Sequence, residues 1–149
     1  MKKLTKNLMF IFLMTVLCIA MATSANAETY TGSCGAEGDN VTWLLDTETG
    51  ILTIQGEGAM EDYSFGGNPP PTWAQYKNDI KSVIIKSGVT RIGDWTFSYY
   101  NNHASIIVPD SVSSIGERAL LGCRNLDSIN VDENNNWYSN DDFSCVVYT

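Results

Sequence analysis

The sequence predicts an α/β fold: a short right-handed solenoid of repeats of about 23 residues, with parallel strands plus short helices, and with an N-terminal β-hairpin cap. Three observations lead to this prediction. A serine-led apolar run recurs at a constant spacing, glycines recur with it, and two strand-like runs joined by a polar turn precede the first copy. A chain of 149 residues is long enough for one such domain.

The first 27 residues have the three parts of an export signal. A basic start is followed by an apolar run over residues 8–22, interrupted only by Thr15, and by the small residues Ala25 and Ala27 at a cleavage site. The apolar run is shorter than the ~20 residues that a membrane-spanning helix needs. We therefore predict a signal peptide over 1–27 and a secreted or cell-surface protein with no membrane span after cleavage.

The negative net charge of the chain argues against nucleic acid as a partner. The whole chain has a formal net charge of −8, and the three lysines of the leader leave with it, so the mature chain is more acidic still. Binding to nucleic acid depends on concentrated Lys and Arg. We expect no nucleic acid partner.

The cysteines of the mature chain indicate neither a disulfide framework nor a metal site. Cys34, Cys123 and Cys145 are an odd set, none lies in a C-x-x-C pair, and His103 has no cysteine at zinc-finger spacing. We expect Cys123 to be a packed thiol rather than a partner of Cys145, because a disulfide between neighbouring strands also needs a favourable Cβ direction. No cofactor or metal is expected.

Residues 28–79 are predicted to form the cap and an irregular linker. Two strand-like runs, 41–45 and 51–54, flank a polar turn, which is typical of a hairpin that could cover the open end of a solenoid. Consecutive prolines make residues 66–71 an irregular loop. Trp73, Tyr76 and Ile80 then follow at the spacing of one helical face, and we expect them in the core rather than on a ligand platform.

The repeats occupy residues 80–131. Ser82 begins a run of β-branched residues that recurs at Ser105 and Ser128, each 23 residues further on. A turn, a second apolar pair, a glycine (Gly93 or Gly116) and a predicted short helix follow each of the first two runs. The predicted continuous core consists of Val83, Ile85, Val89, Ile92, Ile106, Val108, Val112, Ile115, Leu120, Ile129 and Val131.

These motifs resemble a known family. Ser-Val-Ile-Ile with Gly-Val-Thr-x-Ile-Gly, followed by Ser-Ile-Ile-Val-Pro-Asp-Ser-Val-x-Ser-Ile-Gly, is similar to the BspA-type bacterial leucine-rich repeats over 80–131, and the upstream residues resemble an N-terminal module common in such proteins. The resemblance implies a leucine-rich repeat solenoid that acts in cell-surface recognition, such as adhesion to host proteins, matrix or other cells. The first full repeat departs from the pattern, since Tyr99-Tyr100 stands where the next has Gly122-Cys123.

The resemblance also bears on the C-terminal part of the chain, because members of this family often contain many more repeats. Residues 132–149 are therefore interpreted as an incomplete C-terminal repeat or cap. The run 143–148 is strand-like, and unpaired backbone groups at such an edge favour self-association.

Catalytic and metal-binding motifs do not emerge from the sequence. Glu57, Glu61 and Asp62 could supply the carboxylates of a glycosidase, but clusters of this kind are common in an acidic chain. A calcium loop beginning at Asp132 fails, because Trp137 stands where glycine is needed and Phe143 where a bidentate Glu is needed. We predict a non-enzymatic protein, with a secreted carbohydrate-binding module or carbohydrate hydrolase as the alternative.

Strand alternation predicts the binding surface. If Val83 and Ile85 point inward, their neighbours point to the open face of the sheet. A contiguous apolar strip on that face is typical of a contact surface for a protein or surface-glycan ligand. The candidate partner-binding residues are Ser82, Ile84, Ser105, Ile107, Ser128 and Asn130.

Overall fold

The computed structural model describes residues 27–66, 70–102, 105–126 and 128–131. Several sequence predictions fall outside these residues: nearly all of the signal peptide, His103, the rejected calcium loop, Cys145 and the last strand-like run. Among the described residues, no helix is both long enough and apolar enough to cross a membrane.

Short strands make up most of the regular structure. The only helical element among the described residues is a turn of 3₁₀ helix at Ala74–Tyr76. The strands are β1 (Thr29–Gly35), β2 (Gly38–Asp46), β3 (Ile51–Gly56), β4 (Gly58–Ala59), β5 (Ser82–Ile85), β6 (Val89–Ile92), β7 (Ser105–Val108), β8 (Ser114–Ile115) and β9 (Ser128–Val131).

The larger sheet has the order β1-β2-β3-β5-β7-β9. Its first three strands are antiparallel, and β3, β5, β7 and β9 run parallel. Ser82 pairs with Ser105, and Ser105 with Ser128, so the 23-residue offset read from the sequence is confirmed as the strand register. Each repeat adds one strand to this sheet.

The hairpin of β2 and β3 forms where it was predicted, with Asp46 accepting a hydrogen bond from the Gly50 N–H at 2.8 Å across the turn. It does not simply cover the end of the stack. Leu52 of β3 pairs with Val83 of β5, so the hairpin continues the sheet of the repeats. This pairing is favoured because Leu52 and Val83 are both fully buried and extend one apolar layer.

The repeats also contain a second sheet, with the order β4-β6-β8, and a series of turns. The short helices predicted after Gly93 and Gly116 are not formed. Trp95, Tyr99 and Arg118 have positive φ, which ends a right-handed helix. Backbone N–H groups here donate to the next repeat instead: Trp95 to the Glu117 carbonyl at 3.0 Å and Tyr99 to the Leu121 carbonyl at 2.7 Å.

One apolar core runs through the described repeats. Most of its predicted members are buried, and Ile115 and Ile129 are partly buried against it. The side chain of Val131 lies outside the described part. Trp73 and Ile80 are fully buried, as predicted, and Tyr76 packs against the same core. The confirmed buried positions are Val83, Ile85, Val89, Ile92, Ile106, Val108, Val112 and Leu120.

Both described cysteines of the mature chain are buried. The Cys123 sulfur lies 3.0 Å from the carbonyl oxygen of Phe97, which agrees with a packed thiol. Burial, with a smaller contribution from Glu61, raises the pKa of Cys34 to about 12. The Cys34 thiol is therefore protonated and a poor nucleophile at neutral pH.

Candidate interaction surface

The register of the larger sheet aligns one row of outward positions across all six strands. Backbone pairing joins each member to the next, from β1 to β9. The inward neighbours on either side of Ile84 are buried, whereas Ile84 is half-buried and Ile107 is 42% exposed. We call this set the outward row: Thr31, Leu44, Thr53, Ile84, Ile107 and Asn130.

The serines of the candidate surface form a parallel column beside the outward row. Ser82 and Ser105 are half-buried, and the Ser105 hydroxyl donates to the Ser82 hydroxyl at 3.2 Å. Ser128 continues the column by backbone pairing. The predicted residues thus share one face of the sheet, although the side chains of Ser128 and Asn130 lie outside the described part.

The sequence analysis missed Leu44 and Thr53 as members of this face. Both are half-buried, and they bring the row from the repeats into the hairpin. Val41, Trp43 and Leu45 are buried at alternate positions of β2, so Leu44 between them points to the outward face. What the sequence did not reveal was that β3 pairs with β5, which places both residues in the row.

A shallow cleft of about 340 Å³ opens on the same face of the hairpin. The Trp43 side chain is buried on the opposite face of the hairpin, where Gly32, which pairs with it, has no side chain and leaves room for the indole. The indole N–H donates to the Thr72 hydroxyl at 2.7 Å, which fixes the ring. The lining residues are Thr31, Gly32, Ser33, Thr42, Trp43, Leu44 and Gln55.

Of the carboxylates considered for catalysis, Asp62 is held in an ion pair. Asp62 accepts from the Arg91 guanidinium at 2.5 Å and from the backbone N–H of Asp94 at 2.8 Å. Burial pushes the pKa of Asp62 upward, but the Asp94 N–H and Arg91 outweigh it and hold this pKa below its ordinary value. A general acid needs the opposite shift. Among the described residues, no cluster of His, Cys, Asp and Glu is placed to hold a metal ion.

The lowered pKa of Asp62 makes its contribution to stability depend on pH. A carboxyl whose pKa is depressed by folding stabilises the folded state above its unfolded pKa, and this is lost as pH falls through the folded value. At neutral pH we expect Asp62→Asn to cost less than about 1 kcal/mol, because the side chain is more than half exposed. Denaturant melts at several pH values should show the difference shrinking in acid.

The control for this series is Asp110→Asn, the same substitution at an exposed turn residue. A wild-type advantage over Asp62→Asn that stays constant from neutral pH into strong acid would contradict the ion-pair assignment.

The comparisons with known proteins agree with the repeat pattern. A family profile described as a BspA-type leucine-rich repeat region (6 copies) matches residues 72–148, just over half of the chain. The crystal structure of a leucine-rich repeat protein from Eubacterium ventriosum is similar at 29% sequence identity with a TM-score of 0.63, covering 72% of this chain and 27% of that one. The chain thus spans about a quarter of the length of the solved protein. No curated protein matches. The chain belongs to the BspA-type leucine-rich repeat family, and its described part has the strand-rich fold of such a protein.

Proposed function

We propose that this protein is exported and acts, without catalysis, as a secreted or cell-surface interaction protein. In this proposal the repeats form a right-handed leucine-rich repeat solenoid that presents the outward row and the serine column to a protein ligand, as in adhesion to host proteins or other cells. Support comes from the family, whose repeat domains generally mediate protein binding, and from the signal-like leader.

The outward row is the observation that identifies the proposed binding surface. Ile84 and Ile107 are adjacent in register on parallel strands, and Ile107 is one of the few large apolar side chains that the described part leaves exposed. Hydroxyl groups border this apolar strip. An apolar centre with a polar rim is the composition of a protein interface.

The alternative, a carbohydrate hydrolase, has weaker support. Asp62 is engaged with Arg91, and its lowered pKa opposes general-acid chemistry. Turnover of a glycan by the purified protein would overturn the non-enzymatic proposal.

The outward row is tested by Ile84→Lys combined with Ile107→Lys. Binding to immobilised host matrix proteins should fall by roughly tenfold or more, because two charges enter the contact. The thermal midpoint should move little, since neither side chain is fully buried. Surface plasmon resonance and a thermal melt measure the two effects.

The matched control is Thr90→Lys combined with Ser113→Lys. These exposed residues are also 23 positions apart, and their backbones are hydrogen-bonded between neighbouring repeats, but they lie away from the larger sheet. This control should bind as the wild type does. Equal loss in both double variants would contradict the assignment, and unfolding of the first would place Ile84 and Ile107 in the core.

A further inference from the structure

A second surface feature lies on the turn side of the repeats. Phe65 is 70% exposed and Tyr99 is 51% exposed, and their ring centroids are 6.3 Å apart. The ring centroids of Phe65 and Trp95 are 5.2 Å apart, and the guanidinium carbon of Arg118 lies 5.1 Å from the centroid of the Trp95 ring. Tyr99 and Phe65 are therefore the accessible rings of this aromatic group.

The backbone at Tyr99 is unfavourable for tyrosine. Its φ is 59°, and the residue one repeat further on, Gly122, has φ 73°. Glycine adopts this conformation without cost, whereas a residue with a bulky side chain does not. Strained residues of this kind cluster at binding sites, where the surrounding structure holds them. The positive φ at this position of the repeat favours glycine, yet the first full repeat has an exposed aromatic ring here.

Gly122 also sets the position of the Tyr99 ring. A Cβ atom on Gly122 would lie 2.6 Å from Cδ1 of Tyr99, so only glycine leaves room for the ring. The Tyr99 N–H donates to the Leu121 carbonyl at 2.7 Å and fixes the backbone. The ring is therefore pre-positioned.

Tyr99 also borders a cavity of about 250 Å³ that is rich in side-chain amides. The Asn102 amide donates to the Asn78 carbonyl at 3.2 Å, which holds this wall in place. Although the chain has a net charge of −8, no carboxylate lines the cavity. The lining residues are Lys77, Asn78, Tyr99, Tyr100, Asn101 and Asn102.

We propose that this cavity binds one pyranose ring of a glycan. The apolar C–H face of the sugar lies on Tyr99, the side-chain amides bind its hydroxyl groups, and the Lys77 ammonium binds the carboxylate of a uronate. Amides both donate and accept, which suits hydroxyl groups. The volume is below the range of about 300–1,000 Å³ for drug-sized ligands and fits a single ring. This site is separate from the outward row.

Isothermal titration of the full chain with oligosaccharides tests the proposal. The probes are neutral fragments of mannan and xyloglucan, and uronate-bearing fragments of polygalacturonate and hyaluronan. We expect the wild type to bind at least one probe, and Tyr99→Gly to bind it roughly tenfold more weakly or worse, a change of about 1.4 kcal/mol. Tyr99→Gly suits the positive φ, so its thermal midpoint should equal or exceed that of the wild type.

Four further variants test the site in more detail. Tyr99→Phe keeps the aromatic ring and should bind the sugar as the wild type does. If Tyr99→Gly melts early, Tyr99→Asn replaces it, because asparagine tolerates the left-handed conformation. Lys77→Gln distinguishes the two sugar classes, because it should weaken only a uronate probe. Ile84→Lys with Ile107→Lys should bind sugar as the wild type does, so failure of the outward row leaves this test intact. Binding of none of the probes, or equal binding by the wild type and Tyr99→Gly, would overturn the proposal.

Discussion

Ile106→Asp is expected to unfold the protein. Ile106 is 1% exposed on the inward face of β7, between Val83 of β5 and Ile129 of β9. A carboxylate at this position has no partner, and its burial costs several kcal/mol or more. That loss is comparable to the whole stability of a domain, about 5–15 kcal/mol. Circular dichroism at 25 °C and a thermal melt should show no cooperative transition.

The neighbouring residue provides the matched control. Ile107→Asp makes the same chemical change one position along β7, where the side chain is 42% exposed. We expect a cost of about 1 kcal/mol, chiefly from the poor strand propensity of Asp. A cooperative melt of Ile106→Asp near the wild-type midpoint would contradict the inward assignment and the strand register with it.

The parallel strands were predictable because their signals are local and repeated. A serine followed by alternating apolar residues, at a constant offset, determines both the strand and the side that faces the core. Val83 and Ile106 are buried where that alternation placed them. The apolar alternation and the constant repeat offset are independent patterns, and both predict the same buried side chains at these positions.

The turn segments were not predictable in the same way. Trp95 and Arg118 have φ of 54° and 53°, yet neither is a glycine or an asparagine that would signal a left-handed residue. Sequence reasoning therefore placed short helices there. The turns are stabilised instead by hydrogen bonds to the next repeat, such as Trp95 N–H to the Glu117 carbonyl, and these contacts have no local sequence signal.

The candidate surfaces were predicted only in part for a related reason. The alternation at Ile84 and Ile107 was visible in the sequence, whereas the extension through Leu44 and Thr53 depends on a pairing between a hairpin and a repeat. Tyr99 was recognised as a departure from its sister position Gly122. Its exposure and its place beside a cavity required the three-dimensional arrangement.

The glycine that recurs in each repeat shows how closely successive chain segments pack. A Cβ atom on Gly93 would lie 1.9 Å from the carbonyl oxygen of Glu61. One repeat further on, a Cβ atom on Gly116 would lie 2.4 Å from the backbone nitrogen of Asp94. Backbone atoms cannot rotate away as side chains do. Neither glycine has a positive φ, so the requirement here is close approach.

Gly93→Ala is therefore expected to destabilise the fold by about 3 kcal/mol or more, because the stacked segments must separate to admit one methyl group. Denaturant unfolding followed by tryptophan fluorescence measures the loss. The control is Gly38→Ala, where φ is 91° but a Cβ would meet nothing within 4 Å; it should cost only the conformational strain, about 1 kcal/mol. If Gly93→Ala were no more destabilised than Gly38→Ala, the recurring glycine would not be a packing requirement, and the close stacking of Gly93 against Glu61 would be wrong.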